Sequence, residues 1–221
     1  QFYGPRAAAE IRQFIELAHK ASGDTAFENV AVYVSVKLTR FVTNATMRKL
    51  FCSGRRSLDF RGIMDGRRIL LVNLSKGGLG SPDSRFIGMM LTKYLFNAAL
   101  SRADVPRSRR TPFYFYLDEF QNFVSSDIPD MLAEARKFGV HLVLANQTLG
   151  QLTDGGRRET LDAVLGNVAT RLFFRVGQTE AAAVEAGFTP YFDDQTLANL
   201  PDRHVLCRLQ VNGKPTLPFV F

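Results

Sequence analysis

Cysteine is scarce in this chain of 221 residues: Cys52 and Cys207 are the only two. Two cysteines without a ligand-spaced partner build neither a structural zinc site nor a disulfide framework, and their default reading is buried thiols in a reducing compartment. The three histidines, His19, His141 and His204, are scattered, with no carboxylate or cysteine at metal-ligand spacing. No serine-hydrolase motif and no GxxxxGK[ST] phosphate loop occurs. No apolar run approaches the ~18 residues that cross a membrane. The longest candidate, Phe86–Leu100, carries Lys93 and Asn97, and no stretch reads as a signal peptide. The first residue is Gln1 rather than methionine, so the sequence reads as a portion of something longer.

The composition is that of a globular protein, with 46% hydrophobic and 22% charged residues, which excludes a disordered or collagen-like chain. The formal net charge is +7, a balance that permits a nucleic-acid or acidic-membrane partner without requiring one. The charge is concentrated. Between Lys37 and Arg61 seven basic residues stand against Asp59 alone, a local balance of +6. That segment is either a solvated face or a surface that meets a polyanion, with Arg40, Arg48, Lys49, Arg55 and Arg56 as the candidate nucleic-acid contacts.

Apolar periodicity predicts helices over 5–20 and 29–50, the first opened by Pro5. From residue 61 strands and helices alternate. Arg68–Asn73 reads as a strand buried on both faces. The Gly-rich turn Lys76–Gly80 follows, and Ser81 or Asp83 can cap a long helix reaching about Arg102. Phe113–Leu117 and His141–Ala145 read as further strands, separated by a helix over 128–138 that ends at Gly139. A helix over 158–165, a fourth strand at Arg171–Val176 and a helix over 179–186 complete the alternation. Asn212-Gly213 between two apolar runs signals a C-terminal β-hairpin. The expected fold is α/β, with a mainly parallel sheet flanked by helices.

Three places carry possible chemistry. The strand Phe113–Leu117 ends in Asp118-Glu119, and in open parallel sheets ligands sit beyond the carboxyl ends of strands. An aspartate there can hold Mg²⁺ through water, and a glutamate beside it can polarise a water. Two acids that merely open a loop are the alternative. The strand at 141–145 ends in Asn146-Gln147, an amide able to bond a phosphate and an attacking water, or simply to cap a turn. Arg171 and Arg175 share one face of the fourth strand, where an arginine can reach a neighbouring subunit's phosphates or pair with a carboxylate. Lys76–Gly80 sits between a strand and a helix but lacks the phosphate-loop pattern, and reads as an ordinary connection.

Several blocks stand in a fixed order: Asn73-Leu74-Ser75-Lys76-Gly77, Leu117-Asp118-Glu119-Phe120-Gln121-Asn122-Phe123, Glu134–Gly139, Leu144-Ala145-Asn146-Gln147, and Gly166–Thr170 with Phe174–Gly177. Together, over about residues 58–210, they resemble the second half of a HerA–FtsK-type ATPase. They are most similar to the coupling ATPases of type IV secretion and conjugation, with their TraG/TraD-like C-terminal region.

The resemblance implies a RecA-like domain at 58–221, with 1–57 as a helical insertion or lid. It implies a hexameric homo-oligomer that hydrolyses ATP with Mg²⁺ and moves DNA, located in the cytoplasm or at the inner face of the bacterial membrane beside secretion-system or membrane components. By that resemblance Asp118 is the Walker B metal ligand, Glu119 the catalytic base, Gln147 the sensor amide, and Arg175, or else Arg171, the finger that acts in trans. The family's Walker A loop is missing from these residues, so the isolated chain is expected to be inactive. A non-catalytic docking or assembly module on the same fold is the competing expectation, and a motor acting on protein substrates a third.

Overall fold

A computed structural model describes residues 43–52, 58–123, 128–153 and 158–221, with isolated helical positions 13, 16, 20, 32, 38, 39 and 41 before them. The chain divides into two compact units, Gln1–Leu58 and Asp59–Phe221.

In the first unit the described element is helix α1 (Ala45–Phe51). Asn44 caps it: its backbone is extended at ψ 118, and its side chain accepts from the N–H groups of Thr46 and Met47 at 2.9 and 3.1 Å. This corrects the expectation of one continuous helix over 29–50. A short polar side chain that serves the backbone competes with helix continuation, and periodicity alone does not register it. Met47 is fully buried. The predicted helix over 5–20 lies outside the described residues apart from helical Gln13, Glu16 and Lys20.

The second unit opens with α2 (Phe60–Asp65), capped by Asp59, whose carboxylate accepts from Gly62 N–H at 2.8 Å. Residues 68–75 then form neither helix nor strand. The strand expected there is absent, and Ile69 and Leu71 are 88% and 90% exposed. Among the described residues no strand lies beside them. An apolar run becomes a strand only when a neighbour takes its N–H and C=O groups.

A single turn, α3 (Lys76–Leu79), leads to Gly80 and the long helix α4 (Ser81–Ser101). Gly80, at φ 78 and ψ 148, is the cap residue, in a region open essentially to glycine. Pro82 pre-sets the first turn. The sequence had suggested Ser81 or Asp83 as the cap residue; both lie inside the helix, and Gly80 takes that position. Ile87, Gly88, Thr92, Leu95, Phe96 and Ala99 form the buried stripe of α4 at helical spacing.

Strands β1 (Phe113–Leu117) and β2 (Val140–Leu144) pair in parallel, from Phe113 opposite Val140 to Leu117 opposite Leu144. Helix α5 (Ile128–Glu134) and a 3-10 turn connect back to β2, and Gly139, left-handed at φ 76, ends that connection as expected. Side chains alternate along β1, with Phe113, Phe115 and Leu117 turned inward and Tyr114 and Tyr116 58% and 69% exposed. One face of this pair is therefore open rather than covered on both sides.

Helix α6 (Arg158–Asn167) precedes β3 (Arg171–Phe173), and α7 (Gln178–Val184) and α8 (Asp194–Ala198) follow. The C-terminal strands are β4 (Leu206–Arg208), β5 (Gln210–Val211), β6 (Lys214–Pro215) and β7 (Phe219–Val220). Asn212 and Gly213, both at positive φ, turn the predicted hairpin. Its outer part, β4 with β7, takes β3 into a separate antiparallel sheet of order β3-β4-β7. The fourth strand is thus shorter than expected and does not pair with β1 or β2. Periodicity identifies a strand but not its partner, and here the returning C-terminus supplies it. Cys207, in β4, is fully buried, and burial pushes its thiol up; Cys52 is exposed, against the expectation of two buried thiols.

The α/β unit is held by one large core and one satellite. Phe96, Leu117, Phe120, Ile128, Met131, Leu152, Val184, Leu197 and Leu206 belong to the first. Met64, Leu95, Ala99, Ala135 and Val140 form the second. Between α2 and α4 a charged cluster carries further specificity. Arg102 is fully buried; it donates to Asp65 at 2.8 Å and to the carbonyls of Phe138 and Thr111 at 3.0 and 2.8 Å. Arg61 meets the same aspartate at 2.6 Å and Asp104 at 2.8 Å. Burial alone would raise the Asp65 carboxyl, but hydrogen bonds from Arg61 and Arg102 outweigh it and hold the group below its ordinary 3.8.

Candidate active site at the tips of the parallel strands

Beyond β1 and β2 the backbone ladder runs on. Ala145 N–H donates to Leu117 C=O and Phe120 N–H to Ala145 C=O, both at 3.0 Å. The two strand tips, Asp118-Glu119 and Asn146-Gln147, are thereby fixed side by side. Glu119 bridges them. One carboxylate oxygen, Oε1, accepts from Gln147 Nε2 at 2.5 Å, and the other, Oε2, accepts from Gln121 Nε2 at 2.6 Å. Asp118 is exposed, and its Oδ1 accepts from Glu119 N–H at 3.0 Å.

Local backbone geometry aims the glutamate. Glu119 sits at φ 52, the left-handed region that costs a non-glycine residue about 1–2 kcal/mol. The bonds that flank it offset this cost: Asn122 N–H and Asn122 Nδ2 both donate to Glu119 C=O, at 2.9 and 3.1 Å. The turn continues as a 3-10 segment, Phe120–Phe123, whose Phe120 is buried in the main core. Phe123 lies over Gly88 of α4. A Cβ at position 88 would stand 2.2 Å from its ring, so only glycine lets helix and turn approach this closely.

Two participants were not singled out in the sequence. Gln121 holds the second carboxylate oxygen of Glu119, and its own Oε1 is buried with no donor among the described residues. Asn122 locks the turn and meets Lys76, whose Nζ lies 3.5 Å from Asn122 Oδ1, which brings the Lys76–Gly80 turn to the same rim. The pattern Asp-Glu-x-Gln-Asn was readable as polar residues directly after a strand, but nothing in the sequence states that a side chain folds back onto the acid two residues before it.

The arginines separate. Arg175 is exposed and pairs with Asp202 at 2.8 Å, the carboxylate-paired alternative of the sequence reading. Arg171 is half-buried; it donates to Val168 C=O at 2.8 Å and to Leu165 C=O, closing the last turn of α6. Burial, and after it the charge of Arg208, lower its pKa. Of the basic candidates, Arg48 and Lys49 are exposed on α1, and Arg40, Arg55 and Arg56 lie outside the described residues. Arg61, counted in the same charged run, is committed to Asp65 and Asp104.

Residues 112–186 match the family model described as the TraM recognition site of TraD and TraG. The segment is TraG/TraD-like. It holds β1, β2, β3 and the rim residues Asp118, Glu119, Gln121, Asn122 and Gln147. Two solved structures extend the likeness beyond it. One, titled plasmid coupling protein TrwB in complex with ADP and Mg2+, shares 13% identity at TM-score 0.64, covering all of this chain and 55% of that one. The other, TrwB in complex with the non-hydrolysable GTP analogue GDPNP, shares 14% at TM-score 0.63, covering 99% and 55%. This chain thus spans about half the length of those proteins, and the likeness shows the fold: α/β and RecA-like. No curated protein sequence matches. Among the described residues no helix is long and apolar enough to cross a membrane, and no group of three or more His, Cys, Asp or Glu is placed to hold a metal ion.

Proposed function

We propose that this TraG/TraD-like chain supplies the water-activating side of an ATP-hydrolysing site in a coupling ATPase that moves DNA as a ring of identical subunits. The observation that carries the reading is the hydrogen bond between Glu119 and Gln147 across the tips of two parallel strands. A carboxylate held by two amide donors is a base with a fixed direction, and phosphoryl transfer depends mostly on positioning and charge stabilisation.

The residues fit the metal and nucleotide in part. Asp118 is a single exposed carboxylate, which suits Mg²⁺, an ion that keeps several waters and binds through one or two carboxylates and substrate phosphates. The chain offers no GxxxxGK[ST] loop to cradle the phosphates. Mg²⁺ with ATP, when bound, would supply the electrophilic phosphorus and neutralise its oxygens. Glu119 orients a water by accepting its proton-bearing hydrogen bond at the carboxylate oxygen from which an amide withdraws. Gln121 fixes the other oxygen. Gln147, a neutral amide, links the base to the neighbouring strand tip. Arg175 would act on a neighbouring subunit's nucleotide after leaving Asp202. Arg171, tied to the end of α6, is the weaker choice. The run with Arg40, Arg48, Lys49, Arg55 and Arg56 would face the DNA.

A second reading rests on the family model's description: the TraG/TraD-like segment would dock a TraM-like partner, with hydrolysis elsewhere or lost. Steady-state ATP hydrolysis by the full-length protein separates the two. Replacing Gln147 by Ala should lower turnover about 10- to 100-fold while leaving partner binding intact. Unchanged turnover would place the chemistry elsewhere and leave the docking reading.

A further inference from the structure

The antiparallel register sets Arg171 of β3 directly opposite Arg208 of β4. Like charges at directly opposed positions destabilise a strand pair, and natural sheets seldom keep them without a counter-ion. The two guanidinium groups converge on Gly187. Arg208 Nη1 donates to its carbonyl at 2.5 Å, and a Cβ there would stand 3.0 Å from Arg171 Nη1. Among the described residues neither arginine makes an ion pair. Each guanidinium has five N–H donors. Arg171 spends two on Leu165 and Val168 carbonyls and Arg208 one on Gly187, which leaves most of them uncommitted.

These arginines line a cavity of about 240 Å³ together with Asn167, Gln210 and the backbone of Gly166 and Val168, and no carboxylate lines it. Drug-sized ligands occupy roughly 300–1,000 Å³, so this space suits a phosphate group with part of a sugar better than a whole nucleotide. Planar guanidinium forks match phosphate oxygens two at a time.

We propose that Arg171 and Arg208 form a phosphate-binding pocket beside the β3–β4 pair, distinct from the Glu119 rim. The ligand is a phosphate group, as a diester in a nucleic-acid backbone or a terminal phosphate of a free nucleotide. The pocket does not depend on the hydrolysis reading, since its residues take no part in water activation by Glu119. Burial penalises the charge of Arg171, a cost that a bound anion would offset.

The test follows the side-chain Nε–H signals of Arg171 and Arg208 by NMR in the full chain, during titration with inorganic phosphate, with ADP free of Mg²⁺, and with a ten-nucleotide single-stranded thymidine oligomer. Both signals should shift saturably with phosphate, and whichever of ADP or the oligomer binds at least tenfold tighter names the source. Arg208→Gln should weaken that binding about tenfold or more, and the exposed Arg107→Gln should not. Because Arg208→Gln can disturb the sheet, Gly166→Asp is the second variant. The Cβ of residue 166 meets open space, and the new carboxylate would occupy the arginines from within. It should abolish the phosphate response in a folded chain. Signals that stay still with all three probes, or titrations identical in Gly166→Asp and the unmodified chain, overturn the proposal.

Discussion

Two of the sheets of the second unit treat charge in opposite ways. At the tips of β1 and β2 a single carboxylate has two amide donors, one on each oxygen, and the turn that carries it is braced by Asn122. Across β3 and β4 two arginines face each other with backbone carbonyls as their only partners among the described residues. Arg102 shows that the chain can do otherwise with a buried guanidinium, since Asp65 stands against it along with two carbonyls. A satisfied charge holds the fold together. A carboxylate satisfied only by exchangeable amides, or a cation facing its like, is left available to something that is not part of the chain. The contrast therefore separates structure from function without reference to sequence motifs.

The largest stability effect should come from breaking the matched cluster. Asp65→Ala leaves the buried Arg102 with carbonyls alone, and removing one partner of a buried pair costs about 3–5 kcal/mol. Asp65 is 40% exposed, so solvent screening brings the expectation to about 2–3 kcal/mol, read as a loss of chemical-denaturation stability. The pH dependence has a fixed sign. Since the Asp65 carboxyl is lower in the folded chain, its contribution is complete above about pH 4–5 and fades as pH falls through the folded value. Asp65→Asn should flatten that acid limb, and an unchanged limb would show that the pair contributes nothing.

A smaller effect links packing to the rim. Gly88→Ala gains helix propensity of about 1 kcal/mol but forces the Phe123 ring aside, and overpacking costs typically 1–3 kcal/mol. A net loss of about 1 kcal/mol is expected, together with a fall in ATP turnover of the full-length protein, because Phe123 ends the turn that aims Glu119. Stability lost with turnover unchanged would uncouple the helix from the rim. Smallest should be Gly166→Asp. An acid at the last turn of a helix is disfavoured by about 0.3–1 kcal/mol, so a melting temperature that holds or rises marks attraction to Arg171 and Arg208. A fall of several degrees would mean the arginines do not need an anion.

Much of this contrast was visible before the structure. The parallel strands, their terminal acids and amide, Gly139 and the Asn-Gly hairpin follow from apolar runs and from the few residues that tolerate left-handed turns. Arg68–Asn73 misled because an apolar run states what a segment would bury, not whether a neighbour is there to pair with it. The opposition of Arg171 and Arg208 was hidden for the same reason: register between strands some 35 residues apart is a tertiary fact. Gln121 was hidden because a side chain folding back on Glu119 requires the left-handed turn at that glutamate, a conformation its residue type does not announce.

The proposed role of Glu119, directing water in ATP hydrolysis, can be read from which nucleotide stays in the site. The full-length Glu119→Gln protein, incubated with ATP and Mg²⁺ and separated from free ligand, should retain nucleotide as intact ATP, with turnover reduced by at least 100-fold. Recovery of the bound nucleotide as ADP, at a rate near that of the unmodified protein, would contradict the assignment.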